Sequence, residues 1–317
     1  MIIMKLSGLF RNHTHVGLSF SDHVIRMVQF RGSADDLSHL QSMEKSLEPG
    51  TIENGKIRNA SVCLDKLKEM VRLLKARGKR VVFSIPETQL VVRVLELPGL
   101  MSDKDLQNYF FIEIGRKIQL PFDRPIFDFH VTARDANTTR VILYAAPEET
   151  VRSYQRLLRS AGLDPAAAEF SGLGVDRWIE HAGRKPVQDH RMYVQIENDS
   201  FSCTIFDKEV PLFVREVRLQ SAQTNGDLSM LISRAVTEIT RMLNFYQFTI
   251  QKGQSAVTTI YLIGNPKQTE RFKNAIQMAV GIQVVSLSVN FEKNKIHKNL
   301  QSIFIPALGM AMKEVNE

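Results

Sequence analysis

The chain has 317 residues, 44% of them hydrophobic and 24% charged, with a formal net charge of +7 at pH 7. That length exceeds one ordinary core and predicts two domains, and the composition is that of a globular protein rather than a disordered or fibrous one. No apolar run approaches the roughly 18–20 residues of a bilayer-spanning helix, and the positive charge raises nucleic acid or an anionic membrane surface as partners.

The opening MIIMKLSGLF has one lysine and no small-residue cleavage site, so a secretory leader is not expected. HTH at 13–15 reads as a polar start rather than a metal clip, and no HxxxH or HExxH spacing follows it. VGLSFSDHVIRMVQF, Val16 to Phe30, is strand, polar turn, strand. Pro-Gly and Asn-Gly pairs in LEPGTIENGKI mark turns. Ser61 is expected to cap a helix with Leu67, Met70, Val71 and Leu74 on one face and Gly78 as its stop. The densest basic run, LKARGKR at 74–80, falls at that helix end, where cations suit the dipole. The other basic residues are spread along the chain, and no nucleic-acid partner is expected. RVVFSIP reads as a strand buried on both faces.

LVVRVLELP then alternates as a strand, and Ser102 opens a helix through Leu106, Phe110 and Ile114. IFDFHV and RVILYAAP are two further strands. A helix from about 148 carries Val151, Tyr154, Leu158 and Ala161 at helical spacing. Residues 88–165 are therefore expected to form an inserted α+β unit. Residues 1–87, completed by 166–188, would form a first subdomain and 189–317 a second domain. In the second domain MYVQIENDSFSCTIFD repeats the opening grammar: at an offset of 176 residues Leu18 meets Val194 and Phe20 meets Ile196. A long helix over 227–249, capped by Asp227, is followed by TTIYLIGN, a strand ending on Gly-Asn where α/β folds place ligands. Cys63 and Cys203, far apart and without a CxxC, suit packing residues in a reducing compartment. Trp178 reads as a core or domain-edge aromatic.

Five stretches in order, SIPETQLVVRVLELPGL, EIGRKIQLPFDRPIFDFHV, VILYAAPEETVRSYQRLLRSAGLDP, EITRMLNFYQ and PALGMAM, resemble the PilM family of type IV pilus assembly proteins. The related division protein FtsA is larger and carries a C-terminal amphipathic membrane helix, which is not expected here. The resemblance implies an α/β, actin-like fold, a duplicated ribonuclease H-like architecture with an inserted SHS2-type subdomain. It also implies a cytoplasmic protein recruited to the inner face of the membrane by the N-terminal peptide of PilN, a single-span membrane protein. The peptide would lie in a groove between the first subdomain and the insert, with Val91, Val92, Val94 and Leu95 as neighbours. Other platform proteins, the assembly ATPase and self-association are further implied partners.

Actin-like proteins bind ATP between two hairpins that each read Asp-x-Gly. The aspartates hold magnesium, and the glycine lets the backbone approach phosphate. Here Ser19 and Ser21 stand at those positions in the first hairpin, and Arg26 replaces the motif's closing lysine. Gln195 and Glu197 stand there in the second, and the late Gly-Gly element keeps only Gly264, beside Asn265. Asp22 and Asp199 read as turn residues bonding their own backbone rather than as substitute metal ligands. Glu238 and Arg241 match the family's Glu-Ile-x-Arg near the nucleotide, and equally read as an i, i+3 ion pair. The expectation is no bound nucleotide or only weak ATP binding, without ATP turnover. The alternative is a working Mg-ATP-binding ATPase or kinase relative. No catalytic set of Ser-His-Asp or Cys-His type is nominated.

Overall fold

The computed structural model describes residues 14–183, 190–219, 228–289 and 300–314. The first half opens with a hairpin, β1 (Thr14–Phe20) and β2 (Val24–Arg31), followed by β3 (Gln41–Ser46). A short ribbon, β4 (Ile52–Glu53) and β5 (Lys56–Ile57), leads to α1 (Ala60–Leu74), β6 (Arg80–Ser84), α3 (Glu148–Ser160), β10 (Asp164–Glu169) and α4 (Ser171–His181). Between β6 and α3 lie β7 (Val91–Pro98), α2 (Asp103–Glu113), β8 (Pro125–Arg134) and β9 (Thr138–Pro147). The second half contains β11 (His190–Ile196), β12 (Ser200–Asp207), β13 (Val210–Arg218), α5 (Leu228–Asn244), β14 (Thr259–Ile263), α6 (Pro266–Val280), β15 (Gln283–Ser286) and α7 (Ile305–Ala311).

Two five-stranded sheets share one topology, β3-β2-β1-β6-β10 in the first half and β13-β12-β11-β14-β15 in the second. Each begins with three antiparallel strands and continues with two parallel ones. The leading hairpins also share a register: Thr14 pairs with Arg31 and His190 with Asp207, so both strand pairs repeat at an offset of 176 residues. The hairpin strands are buried almost throughout because helices cover both faces of each sheet. Residues of α1 and α3 pack on the first sheet and those of α5 and α6 on the second.

The inner helices are exchanged. The helix after the first sheet, α4, lies against the second, where Gly172 faces Thr204. The helix after the second, α7, lies against the first: a Cβ added at Gly17 would sit 2.0 Å from the Ala307 carbonyl oxygen. They cross where one added at Gly309 would sit 1.8 Å from the Gly174 carbonyl oxygen, so the crossing itself requires glycine. Val175, Trp178 and Ile179 of α4 share a core with Tyr193, Phe206 and Ala307. Arg191, wholly buried, donates to Asp176 at 2.6 Å, and the Tyr193 hydroxyl donates to the same carboxylate at 2.5 Å.

The inserted sheet runs β7-β9-β8, and α2 covers one face by seating Phe110 on Phe127 and Phe129. Ser102 caps α2 in a reciprocal capping box with Asp105. The opposite face carries Val92, Val94 and Tyr144, and the Tyr144 hydroxyl donates to the Pro211 carbonyl of β13 at 2.8 Å.

Several sequence expectations change. Helix α3, expected inside the inserted unit, packs with the first half, where Val151, Tyr154 and Leu158 meet Leu67 and Phe83, and β10, most of which falls in the expected completing segment 166–188, pairs with β6. Periodicity gives α3 an apolar face without saying which sheet it meets. Helix α1 begins earlier than Ser61, capped by Asn59, and ends at Lys75 in the left-handed conformation. The long helix is α5, which widens into a π-helical turn over Phe245–Ile250. Its proposed cap, Asp227, lies outside the described residues, as does His13. Cys63 and Cys203 are free and buried, and burial pushes the Cys63 thiol up to about 11.

Candidate functional site

The two leading hairpins present their turns, residues 21–23 and 197–199, to one cleft. Arg26, the third residue of β2, follows the first hairpin turn, with its side chain buried. Its Nη1 and Nη2 donate to the two carboxylate oxygens of Glu197 at 2.5 and 2.9 Å, and its Nε donates to Glu44 at 2.6 Å. This forked geometry is the strong form of a charge-assisted bond. Burial disfavours the Arg26 charge, but Glu197 and then Glu44 outweigh it, and the guanidinium pKa is raised.

Two further bridges flank this pair. His23 Nε2 lies 2.8 Å from Asp199 Oδ2, joining equivalent positions of the two turns. Asp22 accepts from the Asn54 and Gly55 amides at 2.8 and 2.9 Å and pairs with Arg218 of β13. Neither aspartate bonds its own turn, as the sequence reading expects of both; each is spent on a contact distant in sequence.

Deeper in the cleft the two Asp positions of the Asp-x-Gly motifs carry neutral groups, Ser19 and Gln195. Ser19 is buried, with no hydrogen-bond partner for its hydroxyl. Gln195 donates to the Ser171 hydroxyl at 2.5 Å, and the Ser171 amide donates to Glu87 at 2.9 Å. The Ser171 hydroxyl donates to the same Glu87 oxygen. Burial pushes the Glu87 carboxyl up despite these bonds. Glu216, on β13, is pushed up to about 8 by burial and then by Glu87. Ser19, Ser171, Gln195, Glu197 and Glu216 line a small, partly open cavity between the two hairpins.

Gly264 joins this neighbourhood, since a Cβ there would approach the Ile196 carbonyl oxygen to 3.0 Å. Asn265 caps α6 by accepting from the Lys267 amide. Glu238 and Arg241 form a 2.6 Å ion pair along α5, with Arg241 largely exposed. Of the four residues nominated for peptide contact, Val94 is the exposed one and shares with Val92 the face of the inserted sheet that meets β13. Leu95 turns to the other face, against the α2 core, and Val91 has the same parity.

Sequence reasoning missed Glu44, Glu87, Ser171, Glu216 and Arg218, none of which stands in a motif. The one available signal was the 176-residue offset, which sets His23 opposite Asp199.

Two copies of one five-stranded topology, facing each other through their first hairpins and with a third sheet inserted in the first copy, define the actin-like class. Among the described residues no helix is long and apolar enough to cross a membrane. Within the class, the sequence profile described as "Type IV pilus assembly protein PilM" matches residues 17–231, and the chain belongs to that family. In fold it is similar to a "PilM-PilN type IV pilus biogenesis complex", with TM-score 0.78, 19% identity and 96% of this chain and 99% of that chain covered. It is also similar to the ethanolamine utilization protein EutJ from Carboxydothermus hydrogenoformans, with TM-score 0.51, 10% identity and coverage of 94% and 89%. A third similar structure is the cytoplasmic domain of EpsL, an inner membrane component of the type II secretion system of Vibrio cholerae. There the TM-score is 0.50 at 10% identity, with coverage of 96% and 97%.

Proposed function

We propose that this protein is a cytoplasmic scaffold of a type IV pilus assembly platform, or of a related competence or secretion platform. It docks the N-terminal cytoplasmic peptide of a PilN-like inner-membrane protein and is held at the membrane by it, and its actin-like cleft no longer works as a magnesium-nucleotide site. The observation that carries this reading is the forked Arg26–Glu197 pair. It places the protein's own cation between the two hairpins, where a nucleotide-binding relative needs metal and phosphate.

The energetics run the same way. Ser19 and Gln195 supply no charge to a hydrated metal, and a charge-assisted hydrogen bond contributes about 1.5–3 kcal/mol. Losing two such bonds weakens binding by roughly two to four decades. Seating a triphosphate would in addition separate Arg26 from Glu197 and bring phosphate beside the freed carboxylate. The docking surface is the inserted unit, whose edge strand β7 offers the exposed Val94 beside the face that packs on β13, a surface suited to an extended segment.

Titration calorimetry with the PilN-like peptide tests the docking: saturable binding is expected, and Val94→Asp should abolish it with melting unchanged. The same titration with Mg-ATP should give no micromolar affinity. A magnesium-dependent micromolar Kd would restore the ATPase or kinase reading.

A further inference from the structure

Charge around the small cavity between the hairpins does not balance. Glu87 reaches it from the 3₁₀ turn Glu87–Gln89 between β6 and β7, Glu197 from the β11–β12 turn and Glu216 from β13. The guanidinium on its wall, Arg26, is shared by Glu197 and Glu44, so it offsets neither Glu87 nor Glu216. Glu87 is buried and Glu216 half-buried. Glu87 accepts from Ser171 and Glu216 from the Thr88 amide, and among the described residues neither carboxylate forms an ion pair. Carboxylates withdrawn from water in this way are paired with a cation, coordinated to one or protonated.

A second feature points to a ligand inside the cavity. Ser19, only 7% exposed, lines it as well, and its hydroxyl has no hydrogen-bond partner among the described residues. A hydroxyl buried in this way is costly unless something within the cavity meets it. The groups able to act as ligands are carboxylate and hydroxyl oxygens, which suit a hard cation, while the excess of negative charge disfavours an anion. No three His, Cys, Asp or Glu side chains converge among the described residues, so water has to complete the coordination. Magnesium is commonly held in that manner, by one or two carboxylates with several waters retained.

We propose that this cavity is a nucleotide-independent site for a hard divalent cation, held through oxygen by Glu87, Glu216 and Ser19. The ion fastens β13 of the second half to the turn that leads into the inserted unit. Its charged ligands lie outside the Asp-x-Gly motifs, whose acid positions are neutral here, so it is a different site from the phosphate-linked metal of nucleotide-binding relatives. This goes beyond peptide docking and gives the cleft a binding role of its own.

The test is calorimetric titration of the full chain with magnesium chloride and, separately, calcium chloride, without nucleotide and in a constant potassium chloride background. Saturable binding of at least one of the two is expected, with a Kd of about 10⁻⁴ to 10⁻³ M, the range of sites with few charged ligands. The ratio of the two affinities assigns the ion. Glu87→Gln and Glu216→Gln should each weaken binding about tenfold or more, and Ser19→Ala about two- to tenfold. Glu149→Gln, on the exposed side of α3, should leave it unchanged. The bound ion should also raise the melting temperature of the wild type and not that of Glu87→Gln/Glu216→Gln, a comparison that holds even where the variants melt lower. Absence of saturable binding, equal affinity in the double variant, or binding that requires added ATP would each overturn the proposal. The titration contains no peptide, so its failure leaves the docking reading standing, and loss of peptide binding leaves this one standing.

Discussion

The two leading hairpins are copies in everything that backbone geometry controls. Strand lengths, the three-residue turn and the pairing register repeat at an offset of 176 residues. Their side chains differ in kind. The first offers His23 and Arg26, the second Asp199 and Glu197. In a pair related by approximate two-fold symmetry, equivalent residues meet each other, so two identical charged turns would repel. Here divergence has turned the meeting into attraction. Duplication supplied the geometry of a shared cleft, and unequal substitution made its two walls complementary to each other. The same contrast holds for the exchanged helices: α7 meets the first sheet through close-packed glycine and alanine, whereas α4 meets the second through a buried ionic cluster.

That last difference gives the largest expected effect. Asp176→Ala leaves the Arg191 guanidinium wholly buried without its carboxylate partner, and removing one member of a buried pair costs about 3–5 kcal/mol. Denaturant unfolding should show a fall of that size, with the second half exposed to proteolysis first. A loss under about 1 kcal/mol would mean that α4 is held by its apolar face alone.

The cleft comes next. Arg26→Ala strands two carboxylates, Glu44 and Glu197, and should cost about 2–3 kcal/mol. A double-mutant cycle with Glu197→Ala separates the cross-cleft bond from the bond to Glu44. Coupling near 1.5 kcal/mol or more is expected, and coupling near zero would make the cleft closure incidental.

A pH experiment sharpens the picture of the same walls. Glu216 titrates near 8 in the folded chain and in the ordinary carboxylate range when unfolded, so between about pH 5 and 8 the folded state holds a proton that the unfolded state has lost. Its contribution is fully present below about pH 4.5, declines by up to about 1.4 kcal/mol per pH unit, and is gone above pH 8. Glu87 shifts in the same direction. Glu216→Gln should flatten this limb in urea melts taken across the range, and an unchanged slope would place the proton elsewhere.

How much of this was legible in the sequence depends on the range over which the physics acts. Buried strands, the Ser102 cap and the Glu238–Arg241 pair are local, so runs, caps and i, i+3 spacing identified them. Both hairpins and the insert's strands followed from alternation and turn residues. The location of α3 did not, because an apolar stripe does not name its partner. At the cleft, Arg26 was recognisable as a replaced lysine and Glu197 as a charge unfavourable to phosphate. That the two residues bond each other, across 171 residues, is a fact of the fold and not of either motif. Glu87, Ser171 and Glu216 carried no local signature, since burial alone makes them distinctive.

The smallest effect concerns the bridge at the hairpin tips. His23 and Asp199 are each more than a third exposed, 38% and 37%, so water screens their attraction and ordering both side chains offsets much of it. Exposed pairs of this kind contribute about 0.2–1 kcal/mol. His23→Gln and Asp199→Asn should each move stability by less than about 0.5 kcal/mol, and less still in 1 M salt, where the screening length falls to about 3 Å. A larger loss would show that the tips, and not the buried Arg26 fork behind them, hold the two halves together. Calorimetric melts of both variants at low and high salt separate these outcomes, because the fork is shielded from salt and the tip bridge is not.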